Sequence, residues 1–192
     1  MIAIGVGLPK TGTSSLAKAL SSAGVNAFHQ RFRKDYPHVG ELMYQAWKEE
    51  LPIDEYTAGM VEAVTQLDTL RDGKSIWPQL DYEFLCACVK QFPNIVPILH
   101  TRDPKKTLNS IKRWKDLRTR IERAPGLHAG CTDSMVIDWI ENHYKNVSRI
   151  FSHNPRYVRF DIEDDPIDIK DKLSKALGRK VTWWGVENAN PR

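Results

Sequence analysis

The sequence predicts a three-layer α/β domain built around a mostly parallel central sheet, and two patterns carry that prediction. Compact apolar runs at residues 2–6 and 95–100 alternate with stretches whose apolar residues recur three and four positions apart. The first run also opens through glycines straight into such a stretch, Gly7-Leu8-Pro9-Lys10-Thr11-Gly12-Thr13-Ser14-Ser15-Leu16. A strand that turns directly into a helix is the repeating unit of a parallel sheet. At 192 residues the chain is long enough for one continuous core, and a single domain over 1–192 is expected.

The elements follow in order. A strand is expected over residues 2–7. A helix over 13–23 aligns Leu16, Ala19, Leu20 and Ala23 on one side and stops at Gly24. Further helices are predicted over 39–50, before Pro52, and over 58–70, with 74–77 either a short strand or the rim of a loop. Residues 80–90 form a helix with more apolar residues than a solvent-bathed face would carry. Pro93-Asn94 then punctuates the chain before the run at 95–100, which suits a buried parallel strand although Pro97 removes one ladder donor. Asp103-Pro104 places a capping aspartate before a first-turn proline and starts a helix running through Trp114 and as far as Arg118. Pro125-Gly126 interrupts the chain, Asp133 caps a helix reaching about residue 149, and 157–162 alternates as a last strand.

Composition narrows the function. The net charge is only +4, but basic residues crowd between Arg102 and Arg123, a local attraction for an anionic ligand. No nucleic-acid-binding module accompanies them, so nucleic acid is not expected as a partner. No apolar run approaches the roughly 20 residues that cross a bilayer, and no leader precedes the first strand, so no membrane association is expected. Cys86, Cys88 and Cys131 form neither a disulfide framework nor a metal-ligand spacing, with Cys86 and Cys88 read as core thiols. A cytoplasmic protein with no bound metal is expected.

The glycine-flanked loop is the principal candidate site. Its backbone N–H groups, Lys10, the hydroxyls of Thr11, Thr13, Ser14 and Ser15 and the positive end of the following helix surround one small volume, as a phosphate requires. The fold is therefore P-loop-like, yet Pro9 precedes Lys10 and the next glycine, Gly12, comes after Thr11, a departure from G-x-x-x-x-G-K-[ST]. The later strand is followed by His100-Thr101-Arg102-Asp103-Pro104, in which an arginine precedes the aspartate. A nucleotide-binding site without hydrolysis of a terminal phosphate fits both departures.

The two segments together resemble the sulfotransferases that use 3′-phosphoadenosine 5′-phosphosulfate (PAPS). Gly7 to Ser14 is similar to that family's loop for the 5′-phosphosulfate, which the resemblance assigns to Pro9, Lys10, Thr11, Gly12, Thr13 and Ser14. Arg102-Asp103-Pro104-Lys105-Lys106-Thr107-Leu108-Asn109-Ser110 is similar to its 3′-phosphate site, where a strand-end arginine and a serine eight residues later, here Arg102 and Ser110, hold one group. The tract from Tyr157 to Gly178 looks like the family's last strand and helix, and 183–192 like the tails of compact bacterial or viral members, a segment able to cover part of the site.

The resemblance implies transfer of a sulfuryl group from PAPS to a hydroxyl, or less readily an amine, of a saccharide or small metabolite, leaving 3′,5′-bisphosphoadenosine (PAP) without metal. It also requires a base. Asp72-Gly73-Lys74-Ser75 resembles the Glu-Lys-Ser segment of glycan-modifying members, with glycine at the acidic position, so Asp72 is a displaced candidate and Lys74 an orienting one. His29, after the first helix, competes with Asp72 as the base. Trp77, Tyr82 and Trp114 offer either core packing or stacking surface. Two other functions stay open: a magnesium-dependent small-molecule kinase, and an inactive nucleotide-binding or interaction module.

Overall fold

The computed structural model describes residues 1–31 and 35–187. Five parallel strands, β1 (Ala3–Gly5), β2 (Ala27–Phe28), β3 (Ala63–Val64), β4 (Val96–Thr101) and β5 (Val158–Asp161), form one sheet in the order β2-β3-β1-β4-β5. Seven α-helices accompany them: α1 (Thr13–Ser22), α2 (Val39–Lys48), α3 (Tyr82–Gln91), α4 (Pro104–Lys112), α5 (Leu117–Ile121), α6 (Asp133–Ile150) and α7 (Pro166–Leu177).

Alternation along the strands divides the core between two faces. Ile4 and Leu99 point into a cluster with Met43 of α2, Phe84 of α3, Ile111 of α4 and Ile140 of α6. Ala3 and Ile98 point the other way, against Leu16 and Leu20 of α1 and Ile169 and Leu173 of α7. The result is the expected α/β arrangement of helices on both faces of a parallel sheet. A fully buried leucine such as Leu20 contributes about 1.5–3 kcal/mol to holding its helix down.

Pro97 is accommodated by register. Val96 donates to Ile2 O and Ile98 accepts from Val6 N, so the even positions of this part of β4 bond to β1 and the position of Pro97 faces β5. Pairing with β5 begins only at Ile98 opposite Val158, and the missing donor falls just beyond that strand's end.

Two expectations are corrected. Residues 58–70 are not a helix: Ala58 and Gly59 take left-handed backbone conformations, and the chain then enters the sheet as β3. Every residue from Ala63 to Leu70 is buried, so no polar face exists for a helix to show to water. The helix begun at Asp103 ends at Lys112, because Lys115 turns left-handed before α5 begins. Residues 74–77 contribute only a single bridge, Ile76 to Thr69. In addition, Thr132 rather than Asp133 caps α6, and Cys86 lies on the exposed side of α3 while Cys88 is buried. No helix among the described residues is long and apolar enough to cross a membrane.

Candidate active site

Parallel strands direct all their C-terminal ends to one edge of the sheet, and a cavity of about 890 Å³ opens there. Each strand delivers residues to it: β1 the Lys10 loop, β2 His29, β3 Gln66 and Asp68, β4 Arg102, and β5 Ile162 to Asp164.

The loop after β1 is held from below. His100 Nδ1 donates to Thr11 O at 2.9 Å, and Thr11 Oγ1 donates to Leu8 O at 2.5 Å. That approach depends on Gly7, where a Cβ would lie 2.4 Å from the His100 ring. His143 supports the strand end by donating from Nε2 to Val6 O at 2.7 Å. Lys10 (φ 70°) and Gly12 (φ 83°) are both left-handed, a conformation that costs a lysine energy and is natural for glycine. Gly12 caps α1 without a side-chain acceptor, and the first turn carries no acid, so the positive end of the helix faces the cavity uncompensated.

Lys10 stretches across the cavity, its Nζ 3.6 Å from the centre of the Trp114 ring. Burial, with a smaller push from Arg102, lowers its pKa to about 8. On the β4 side Arg102 Nε donates to Glu163 Oε1 at 3.1 Å, and Lys106 pairs with the same carboxylate. Ser110, one face of α4 onward from Arg102, is 4 % exposed and lines the same cavity, which Arg113 and Trp114 extend. Asp103 accepts from Lys106 N at 2.8 Å and Pro104 begins α4, the local chemistry that sets Ser110 in register with Arg102.

The β2 and β3 side is polar and closed. Thr13 Oγ1 lies 2.8 Å from His29 Nε2 and donates to Gln66 Oε1 at 2.9 Å; Gln66 Nε2 donates to Asp68 Oδ2 at 2.9 Å, and Gln79 Nε2 to Oδ1 at 2.9 Å. Burial lowers the His29 pKa to about 4, opposed by the Gln66 side chain, and raises that of Asp68 to about 6, opposed by the two carboxamides. His38, 3 % exposed, has its pKa lowered by burial, while its Nδ1 donates to Asp68 O at 3.3 Å. Arg71 and Arg120 complete this wall, Arg120 donating to Leu70 O.

The structure thus brings together Pro9, Lys10, Gly12, Thr13, Ser14, His29, Arg102 and Ser110 around one cavity. Three predicted residues stand apart. The Thr11 hydroxyl is fully buried beneath the loop. Asp72 sits at the tip of a turn closed by Lys74 N to Arg71 O, with left-handed backbone, its side chain 80 % exposed and 3.7 Å from Arg71. Lys74 pairs with Glu41. Neither Asp72 nor Lys74 lines the cavity. Trp77 packs edge-on against Trp139 in the core, whereas Trp114 faces Lys10.

A model of a sulfotransferase domain matches residues 3–126, which includes the Lys10 loop and the Arg102–Ser110 segment. The chain belongs to that sulfotransferase family. No curated protein matches it. Family membership supports sulfotransferase-like activity in general.

The far wall of the cavity is the terminal segment. Trp184 meets Phe160 edge-on, and Glu187 N donates to Ser15 Oγ at 3.1 Å while its carboxylate pairs with Lys18 at 2.7 Å. Residues 188–192 of the predicted tail lie outside the described residues. Sequence patterns missed Gln66, Asp68, His38 and Arg71, whereas Arg120 belongs to the basic cluster between Arg102 and Arg123. The β-branched Val61, Val64 and Thr65 were the available signal that this segment is a strand delivering polar groups at its end.

Proposed function

We propose that the protein transfers a sulfuryl group from PAPS to a hydroxyl of a saccharide or small metabolite. One observation carries this reading: two anion-suited clusters, Lys10 with the α1 N-terminus and Arg102 with Ser110, share a single cavity on neighbouring strands β1 and β4. That arrangement fits a ligand with separated anionic ends. The residues fit PAPS in kind as well: uncapped helix N–H groups and a lysine suit the 5′-phosphosulfate, and a planar guanidinium with a short hydroxyl suits the 3′-phosphate.

PAPS, when bound, supplies a sulfuryl group already activated by its bond to phosphate. Lys10 would supply positive charge at the end of the site suited to the phosphosulfate, where it would stabilise the charge that develops on the leaving group. Its lowered pKa is reversed by an anion at that position, which keeps the ammonium charged. Ser14 and the main-chain N–H groups of the first α1 turn orient the same end. Arg102 exchanges Glu163 for the 3′-phosphate. His29, neutral at pH 7 and lining the cavity beside Lys10, takes the proton of the acceptor hydroxyl.

The test is binding followed by turnover. PAP is expected to raise the melting temperature of the wild-type protein, and Arg102→Ala to weaken PAP roughly 10–100-fold, the loss of a charge-assisted contact. Radiolabelled PAPS is expected to label a member of a panel of saccharides and small hydroxylated metabolites without added metal. Well-folded wild-type protein that does not bind PAP overturns the cofactor, and PAP binding with no labelling across the panel favours an inactive binding module.

A further inference from the structure

We propose that Asp68 and Gln66, acting through Thr13, fix the tautomer of His29 so that Nε2 carries the hydrogen and the Nδ1 lone pair is the one that accepts the acceptor's proton. The inference rests on the reading of His29 as the base, and it assigns positioning roles to two residues buried behind that ring.

The direction of each hydrogen bond follows from the one before it. An ionised carboxylate is acceptor-only, so both carboxamides that reach Asp68 must present NH₂ to it, as Gln66 Nε2 and Gln79 Nε2 do at 2.9 Å. With its nitrogen turned to Asp68, Gln66 presents Oε1 to Thr13, and Oε1 can only accept. The single hydrogen of the Thr13 hydroxyl therefore goes to Gln66 at 2.9 Å. Thr13 Oγ1 then has nothing to offer His29 Nε2, 2.8 Å away, except a lone pair, so Nε2 must be the donor. A neutral imidazole carries one hydrogen, which leaves Nδ1 bare. Ser14 Oγ, 3.4 Å from the same Nε2, adds a second acceptor on that side.

The chain of bonds also has the burial that a fixed orientation needs. Asp68 is 1 % exposed, Gln66 8 % and Thr13 5 %, so little of their surface is open to water that would compete for their donors and acceptors. Thr65 Oγ1 donates to Thr13 O at 2.8 Å and locks the start of α1 to the end of β3, holding both halves of the relay at constant separation. One consequence separates the roles of Thr13: its hydroxyl belongs to the relay, and only its main-chain N–H remains for an anion.

In the reaction the acceptor's O–H proton passes to His29 Nδ1 as its oxygen forms the bond to sulfur. The bond from sulfur to the bridging oxygen breaks, and its electron pair leaves with PAP. His29 becomes an imidazolium whose Nε2–H still donates to Thr13, so the relay needs no rearrangement during the step.

The experiment uses the full chain labelled with ring-¹⁵N histidine, with His29 assigned by its loss in His29→Gln, free and saturated with PAP. At neutral pH the wild-type ring is expected to show a protonated Nε2 and a bare Nδ1. In Gln66→Met, which keeps the volume and removes the carboxamide, the ring is expected to populate both tautomers. With the acceptor found by labelled PAPS, the same variant is expected to lose about 10-fold in kcat while KM for PAPS changes less than about 2-fold. A wild-type His29 protonated on Nδ1 overturns the proposal whether or not any variant folds, as does a folded Gln66→Met with unaltered tautomer and kcat. His29→Gln that retains turnover overturns the base assignment, an outcome distinct from the tautomer measured in the wild type.

Discussion

The two flanks of the Lys10 loop handle polar groups in opposite ways. On the β4 side Arg102 and Lys106 meet Glu163 near the surface, with side chains 25 %, 57 % and 39 % exposed. On the β3 side Asp68, Gln66, Thr13 and His38 are buried and joined by direct hydrogen bonds, and burial lowers the pKa of the histidines there. Exposed ion pairs are worth little and exchange partners readily, which suits a site whose carboxylate must give way to a ligand phosphate. A buried network is costly to break and keeps its orientation, which suits groups that must present one lone pair.

Lys10, between the flanks, gives the largest expected effect. Lys10→Met is expected to lower sulfuryl transfer by about 10²–10³-fold, more than any change on either flank, because the charge it supplies develops its full value only as the leaving bond lengthens. Single-turnover transfer from labelled PAPS measures it, and a loss confined to PAPS affinity would place Lys10 with the exposed binding flank instead.

Acid comes next. His100 and His143, which prop the loop and the end of β1, have pKa values lowered by burial from 6.5 to about 4. The unfolded chain binds more protons than the folded one between those values, so the stabilisation is complete above pH 6.5 and is lost as pH falls toward 4. Each histidine accounts for on the order of 3 kcal/mol. Urea midpoints across this range are expected to fall steeply, and a flat profile would show that the neutral rings are not a property of the fold.

Asp68 works against that slope. Its folded pKa is raised from 3.8 to about 6, so the folded state binds more protons between those values and Asp68 costs stability that acid restores. Asp68→Asn is expected to gain about 1–3 kcal/mol at pH 7 and to show a steeper acid loss than wild type, by the same urea measurement. It is expected to lose turnover as well, since Gln66 is then free to reverse its carboxamide. Gln79 Oε1, buried without a partner, offers the new amide an acceptor if Gln79 turns.

The smallest effect is expected at the turn outside the cavity. Asp72→Ala is expected to leave both PAP affinity and turnover within about 2-fold of wild type, since the side chain is 80 % exposed and lies 3.7 Å from Arg71 outside the cavity lining. A large loss in turnover would mean that the turn at Asp72-Gly73 folds into the cavity when an acceptor binds.

How far each flank was legible follows from chain distance. The Lys10 loop and the Arg102–Ser110 segment are each contiguous, so residue type and spacing alone place their donors at the end of a strand and the start of a helix. The relay draws on α1, the end of β2 and the end of β3, whose spacing in the chain carries no pattern. The strand within residues 58–70 is illegible in sequence for a related reason: the buried stretch from Ala63 to Leu70 has no polar face and therefore no period to detect. The same limit explains Asp72 and Lys74, whose likeness to an acceptor-side motif lies in sequence alone, since in the structure Asp72 is exposed beside Arg71 and Lys74 pairs with Glu41, neither lining the cavity.

The sequence by itself determined the α/β class, the strand-loop-helix that forms the Lys10 site, and the strand-to-helix junction that carries Arg102 and Ser110. These depend on neighbours within a turn or two of the chain, where sterics, helix caps and helix dipoles act. Tertiary structure alone decided that β3 lies between β1 and β2, that Asp68 is sealed beneath two carboxamides, and that His29 rather than Asp72 faces the cavity. Burial and hydrogen-bond direction are properties of what surrounds a side chain, and for these residues the surroundings come from segments far away in the chain.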